Sequence, residues 1–161
     1  MVYHEANAKL PAPALDENRV VFLGDSIAAG WATGLSTLFP GKPYIGRGIS
    51  SETTQPMLIW FRPDVIDLHP KVVVILAGTN DIAGNTGRPT QKMIEDNLIS
   101  MVDLGQLNGI RVVLVSVLPA YDYCWQSGME PAEKIVALND WIRDFAVGRG
   151  VVYVACHGPG G

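Results

Sequence analysis

Arg19-Val20-Val21-Phe22-Leu23-Gly24-Asp25-Ser26 is the stretch that decides the fold of this sequence. A short, continuous apolar run that ends in glycine is typical of a strand covered on both faces. The stretch therefore predicts a buried strand that gives way to a helix at Ser26. Similar apolar runs follow at residues 72–78, 111–118 and 151–156, and a weaker one lies at 43–46.

Helical patterns fill the gaps between these runs. Thr90 can cap a helix whose apolar residues share one face, and a second such helix follows Pro131. Residues 28–39 predict a further helix. Residues 51–68 contain Pro56 and Pro63. Because proline interrupts a helix interior, we expect this segment to form two short helices.

Strands that alternate with helices indicate right-handed crossovers and a parallel sheet. We therefore expect a single domain over residues 1–161, a three-layer α/β/α sandwich around a five-stranded, flavodoxin-like sheet. Residues 1–18 are expected to form an extended arm and residues 157–161 a short tail. The length of 161 residues leaves no room for a second domain.

Composition excludes several classes of partner. The net charge is -4, with 12 basic and 16 acidic residues, and no stretch gathers Lys and Arg into a basic face. We therefore expect no nucleic-acid partner. The apolar runs are much shorter than the roughly 20 residues that a transmembrane helix needs, so we expect no transmembrane segment.

Cysteines and histidines give no sign of a metal or a disulfide framework. Cys124 and Cys156 are alone, and His4, His69 and His157 show no metal-ligand spacing. We expect no metal and no cofactor. Met1–Asn7 lacks a basic segment followed by an apolar one, so no signal peptide is predicted there. We expect a soluble protein whose location stays open between the bacterial cytoplasm and, if a leader was removed, the periplasm or the exterior.

Chemically useful residues follow the predicted strands. Parallel α/β sheets bind ligands beyond the carboxyl ends of their strands. Ser26 follows the first strand, Gly48 the second, Asn80 the third and His157 the last. A hydroxyl, donors for an oxyanion and an imidazole are the groups that acyl transfer requires. The backbone N–H of Ser26 is a further donor, since it opens a helix. Gly48 could supply a second backbone N–H, because a residue without a Cβ lets a substrate oxygen approach closely.

Each of these motifs also has a purely structural interpretation. Gly24-Asp25-Ser26 and Gly78-Thr79-Asn80-Asp81 are both compatible with an ordinary turn and helix cap. We interpret Asp25 and Asp81 as hydrogen-bonding residues of such turns. The occurrence of all the motifs together, each after a predicted strand, favours a catalytic site.

The motifs resemble those of the SGNH, or GDSL, hydrolase superfamily, and in particular its small bacterial esterases and lysophospholipase-like members. The resemblance runs from Arg19 to Tyr153 and rests on three blocks, at residues 24–31, 47–54 and 77–82. It implies that Ser26 is the nucleophile and that Gly48 and Asn80 complete the oxyanion hole. The small acyl-ester substrate is not specified, because sugar acetates, aryl esters, thioesters and lysophospholipids all occur in the family.

The family's last block, an Asp and a His separated by two residues and followed by a closing helix, is not found in these 161 residues. His157 is the one histidine expected at the catalytic edge, and no acidic residue follows Asp144.

Two hypotheses about the function are compatible with this sequence. The first is a serine esterase for short-chain esters with His157 as an unusual base; the second is an inactive domain that only binds ligands or serves as an oligomeric scaffold. Without a closing helix, one apolar sheet face would be bare, which predicts a homo-oligomer.

Overall fold

The structure, a computed structural model, describes residues 2–156 and has a five-stranded parallel sheet at its centre. The strands lie in the order β2-β1-β3-β4-β5. Their bounds are β1 (Val20–Gly24), β2 (Tyr44–Gly48), β3 (Val72–Leu76), β4 (Arg111–Val115) and β5 (Val152–Val154). The sheet predicted from the apolar runs is thereby confirmed.

Six α-helices accompany the sheet in the described part of the chain. They are α1 (His4–Lys9), α2 (Ser26–Leu38), α3 (Thr54–Asp64), α4 (Thr79–Ala83), α5 (Gln91–Leu107) and α6 (Ala132–Arg149). Thr90 caps α5 as expected, because its hydroxyl accepts a hydrogen bond from the Met93 N–H. Within residues 2–156, none of the helices is long and apolar enough to cross a bilayer.

The main core lies between one face of the sheet and helices α3, α5 and α6. Alternate residues of β1, β3 and β4 point into it, and the helices contribute large apolar side chains from their inner faces. Its fully buried members include Val21, Leu23, Val73, Ile75, Leu114, Met57, Phe61, Leu98, Met101, Leu138 and Ile142. This packing holds the carboxyl ends of β1 and β3 in fixed positions.

The opposite face of the sheet is less completely covered. The strand register aligns Phe22, Val74, Val113 and Val152 in one row across β1, β3, β4 and β5. The first three are half-buried, and Val152 is exposed. Helix α2 packs on this sheet at β1 and β2. An apolar row therefore runs away from α2 towards the β5 edge.

The expected extended arm is partly wrong, because residues 4–9 form helix α1. This segment, His-Glu-Ala-Asn-Ala-Lys, lies before the first proline and has an acidic residue in its first turn and a basic one in its last. The Asn7 side chain also anchors it, donating to the Pro63 carbonyl at 3.0 Å and to Asp64 Oδ1 at 2.7 Å. The first residues therefore pack against α3.

The expected break into two pieces at residues 51–68 is also wrong in part. Helix α3 is continuous through both prolines and is followed by a short 3-10 turn at Ile66–Leu68. Pro56 lies in the first turn, where a backbone N–H has no partner inside the helix in any case. Pro63 lies in the last turn, so it ends the helix without breaking it.

Candidate active site

Ser26 occupies the sharp turn between β1 and α2. The Asp25 carboxylate caps the helix by accepting a hydrogen bond from the Ile27 N–H at 2.9 Å. Ser26 is therefore the first residue of α2, and it is exposed to solvent. A side chain at Gly24 would come within 2.5 Å of the Leu76 carbonyl oxygen, which explains the glycine before this turn.

Asp25 supports the serine without being exposed itself. Its side chain is buried, and burial raises the pKa of its carboxyl, although the Ile27 N–H bond acts in the opposite direction. The Asp25 carboxylate is held at the start of α2 by its hydrogen bond from the Ile27 N–H. This arrangement agrees with the interpretation of Asp25 as a turn and cap residue.

Gly48 lies beside Gly24 on the neighbouring strand, at the same level of the sheet. The absence of a side chain at Gly48 was expected to make room for a substrate oxygen. The structure gives that space to helix α2: a Cβ at Gly48 would lie 2.1 Å from the Ala29 nitrogen. The Ile49 N–H donates to the Gly24 carbonyl at 2.9 Å, so the alternation of a parallel strand turns the Gly48 N–H away from β1.

Asn80 has a fixed side-chain orientation. Its Nδ2 donates to the Glu52 carbonyl at 2.9 Å, and its Oδ1 accepts from Asn85 Nδ2 at 2.9 Å. These two bonds decide which end of the buried amide is the donor. Because an amide NH₂ group has two hydrogens, one N–H of Asn80 remains for a ligand oxygen.

Asp81 joins the asparagine segment to helix α3. Its carboxylate accepts hydrogen bonds from the Thr54 N–H, at 3.0 Å, and from the Thr54 hydroxyl, at 2.6 Å. Asn97 of α5 donates in turn to the Thr54 hydroxyl oxygen at 2.9 Å. Burial raises the Asp81 pKa, while the bonds from Thr54 lower it. The Asp81 side chain thus links α4 to α3, and through Thr54 to α5, and so fixes the position of the neighbouring Asn80.

A partly buried polar cluster lies behind Gly48 and was not predicted from the sequence. The Arg47 guanidinium lies 4.7 Å from the centre of the Tyr3 ring and donates to Asn7 Oδ1 at 2.9 Å. The Tyr3 hydroxyl donates to the Gly48 carbonyl. The cluster joins helix α1 to the end of β2. The one signal in the sequence is a charged residue, Arg47, that directly follows the second predicted strand and precedes Gly48.

Glu52 lies in the same region and is 8% exposed. Its Oε2 atom is buried and has no hydrogen-bond partner among the described residues. Burial raises the Glu52 pKa to about 7, and the negative charge of Asp64 adds to the effect. The backbone carbonyl of this glutamate holds the Asn80 amide.

We predict that Glu52 makes the fold less stable as the pH rises from about 4.5 to about 7. A carboxyl whose pKa is higher in the folded protein than in the unfolded one holds its proton more strongly when folded, so folding is favoured below this window and weakened above it. Glu52→Gln should remove this part of the pH dependence. We expect the variant to gain about 1–3 kcal/mol over the wild type at pH 8, where an unpartnered charge is buried, and little at pH 4.5.

Urea unfolding of both proteins at the two pH values measures this difference. Other buried carboxyls, such as Asp25 and Asp81, are present in both proteins and cancel in the comparison. An equal stability difference at both pH values would show that Glu52 does not titrate in this window.

The three histidines fall in different places. His157 lies outside the described residues. His69 precedes β3 and so lies at the amino end of the strands, opposite Ser26, as expected. His4 is exposed on α1.

Cys156, the last described residue, donates its N–H to the Ser116 hydroxyl at 2.8 Å, which places it beside the carboxyl end of β4. In residues 2–156, no three His, Cys, Asp or Glu side chains form a possible metal cluster.

Fold and site together have the form of an SGNH-type hydrolase. A parallel sheet carries a serine at the start of the first crossover helix, a glycine at the end of one neighbouring strand and an asparagine after the other. The chain belongs to the GDSL-like lipase/acylhydrolase family, whose family model matches residues 22–160.

Two crystal structures from Bacteroides are closely similar. One is a proposed acylhydrolase from Bacteroides fragilis, with 41% identity, a TM-score of 0.92 and coverage of 95% of this chain and 74% of that one. The other is a GDSL-like lipase from Bacteroides thetaiotaomicron, also 41% identical with a TM-score of 0.92, over 96% of this chain and 76% of that one.

A curated relative is the uncharacterized lipoprotein YqeF of Bacillus subtilis. It is 31% identical over 93 residues, which cover 55% of this chain and 38% of the relative. The match thus spans well under half of that protein's length.

Proposed function

We propose that this protein is a serine esterase that hydrolyses short-chain carboxylic esters through an acyl-enzyme on Ser26. The observation that carries the proposal is the fixed amide of Asn80, which keeps one N–H free at the strand ends where Ser26 begins its helix. Membership of the GDSL-like acylhydrolase family supports ester hydrolysis in general.

In the first step, Ser26 Oγ attacks the ester carbonyl carbon and gives up its proton to a base. Two N–H groups would stabilise the oxyanion: the Ser26 backbone and the Asn80 side chain. The Gly48 N–H, which the sequence resemblance also implied, points away from β1 and is not part of this proposal. The Ser26 N–H belongs to the first turn of α2 and has no partner inside the helix. The intermediate then expels the alcohol, which takes up the proton, and leaves the acyl group on Ser26.

In the second step, a water molecule loses a proton to the same base and attacks the acyl-enzyme. Collapse of this intermediate releases the carboxylic acid and restores the Ser26 hydroxyl. We propose His157 as the base, because it directly follows Cys156 at the carboxyl end of the sheet.

Labelling with a fluorophosphonate tests the nucleophile directly. We expect one covalent adduct, which peptide mass spectrometry should locate on Ser26. Ser50 is a suitable internal control, because it is also exposed and lies just after β2. A folded protein that is not labelled at Ser26 would contradict the esterase proposal and favour a domain that binds ligands without turnover.

We also propose that the protein forms a homo-oligomer through the sheet face that α2 leaves open. Val152 and Val154 of β5 are 57% and 41% exposed, and they continue the apolar rows of β1, β3 and β4. Burying such a surface between two copies removes it from water.

Light scattering at micromolar concentration tests the oligomer, for which we expect at least twice the monomer mass. The double substitution Val152→Lys and Val154→Lys should give a monomer. Val147→Lys is the matched control, because Val147 is 77% exposed but lies on α6. A monomeric wild type would show that this proposal is wrong.

A further inference from the structure

Trp125 is an exposed aromatic residue with a fixed position in the loop between β4 and α6. Its ring stacks on that of Tyr123, with 4.8 Å between the ring centres and an angle of 27° between the planes. Tyr123 is buried, whereas Trp125 is 55% exposed. One face of the indole is therefore covered by Tyr123, and the other is available to a ligand.

The loop that carries Trp125 is held in shape by Asp122. The Asp122 carboxylate accepts hydrogen bonds from the backbone N–H groups of Tyr123, Gly128 and Met129, at 2.9, 2.8 and 3.2 Å. These bonds lower the pKa of Asp122, so the carboxylate is ionised at neutral pH and retains them. A ligand that packs on Trp125 would therefore lose little free energy in ordering the loop.

The loop is connected to the candidate active site by hydrogen bonds. Trp125 Nε1 donates to Asn85 Oδ1 at 3.3 Å, and Asn85 donates through Nδ2 to Asn80 Oδ1 at 2.9 Å. Thr79, the residue before Asn80, donates its hydroxyl to the Tyr123 hydroxyl oxygen at 3.2 Å. The exposed indole thus lies two hydrogen bonds from the amide proposed to bind the oxyanion.

We propose that Trp125 is a stacking platform for a six-membered ring in the alcohol part of the ester substrate. This inference rests on the proposed esterase function and specifies its substrate class. The bonds of Nε1 and the Tyr123 contact occupy the polar edge and the inner face of the indole, so the free surface is flat and apolar. Both an aryl ring and the C–H face of a pyranose fit such a surface.

Steady-state hydrolysis of three acetate esters tests the platform. Phenyl acetate and a monoacetylated methyl pyranoside carry a ring, whereas ethyl acetate does not. Trp125→Ala should raise KM for a ring-bearing ester about tenfold, which corresponds to ~1.4 kcal/mol, and leave ethyl acetate within about twofold. Trp125→Phe should restore most of the loss, because it keeps a flat aromatic ring, although a smaller one, and lacks the Nε1 bond.

Tyr121→Ala is the matched control. Tyr121 is 88% exposed on the same loop, and its substitution should change none of the three esters. If only one ring-bearing ester responds to Trp125→Ala, the platform is supported and its ring is identified as aryl or sugar.

Two results would overturn the platform. One is an unchanged KM for both ring-bearing esters in Trp125→Ala. The other is an equal loss on all three esters through kcat, which would show that Trp125 acts only by positioning Asn80 through Asn85. Failure of the esterase proposal itself is distinguishable, because hydrolysis would then be the same in the wild type and in Ser26→Ala.

Discussion

Replacing Ser26 with alanine is expected to abolish hydrolysis of p-nitrophenyl acetate, with kcat lowered by at least about 10³-fold. Loss of the nucleophile removes the acyl-enzyme route, and in the protease subtilisin this loss is on the order of 10⁶ in kcat. The other proposed oxyanion donors, the backbone N–H of residue 26 and the Asn80 amide, would remain, so a small residual rate over water is expected. Initial rates of purified wild type and variant measure the effect.

Two further variants make this comparison decisive. Ser36→Ala changes another exposed serine of the same helix, α2, and should leave the rate unchanged. His157→Ala tests the proposed base and should lower kcat nearly as much as Ser26→Ala. Loss in the serine variant alone would show that His157 is not the base. An unchanged rate in Ser26→Ala would disprove the esterase mechanism.

Gly48→Ala is expected to lower the free energy of unfolding by about 3 kcal/mol or more. The added Cβ would lie 2.1 Å from the Ala29 nitrogen and 2.7 Å from the Asp25 carbonyl oxygen. Both contacts are with backbone, which cannot turn aside as a flexible side chain can, and overpacking of this kind is strongly destabilising. Helix α2 would have to move away from β2, and Ser26 would move with it. Urea unfolding at 25 °C measures the change.

Gly30→Ala provides the opposite control on the same helix. A Cβ at Gly30 would meet no atom within 4 Å. Alanine is the better helix former, so this variant should be more stable by roughly 0.5–1 kcal/mol. If Gly48→Ala were equally well tolerated, α2 would not pack on β2 as closely as the structure indicates.

The sequence was sufficient to predict the sheet and the edge at which the candidate site lies. Runs such as Val72–Leu76 are apolar at every position, which is typical of a strand covered on both faces. The alternation of strands and helices indicates a parallel sheet, in which the carboxyl ends of all strands lie at the same edge. Ser26 and Asn80 follow β1 and β3, which pair in parallel with Gly24 beside Leu76.

Contacts between distant segments could not be predicted in this way. The bond from Tyr3 to the Gly48 carbonyl spans 45 residues and leaves no periodic pattern in the sequence. The close approach of α2 to Gly48 depends on how a helix sits on a strand, so the reason for that glycine was assigned to the substrate and not to packing. Helix α4 could not be predicted beyond the turn and helix cap at Gly78–Asp81, because its five residues are too few to show helical spacing.

The hydrogen bonds of helix α1 also matter for anyone who recombines this domain with others. A chimera designed from secondary structure would begin just before β1, near residue 18, since the sheet starts there. Such a boundary would discard Tyr3 and Asn7, which hold the Gly48 carbonyl and the Arg47 side chain. The modular unit for shuffling or grafting therefore includes its first ten residues, although they add nothing to the sheet.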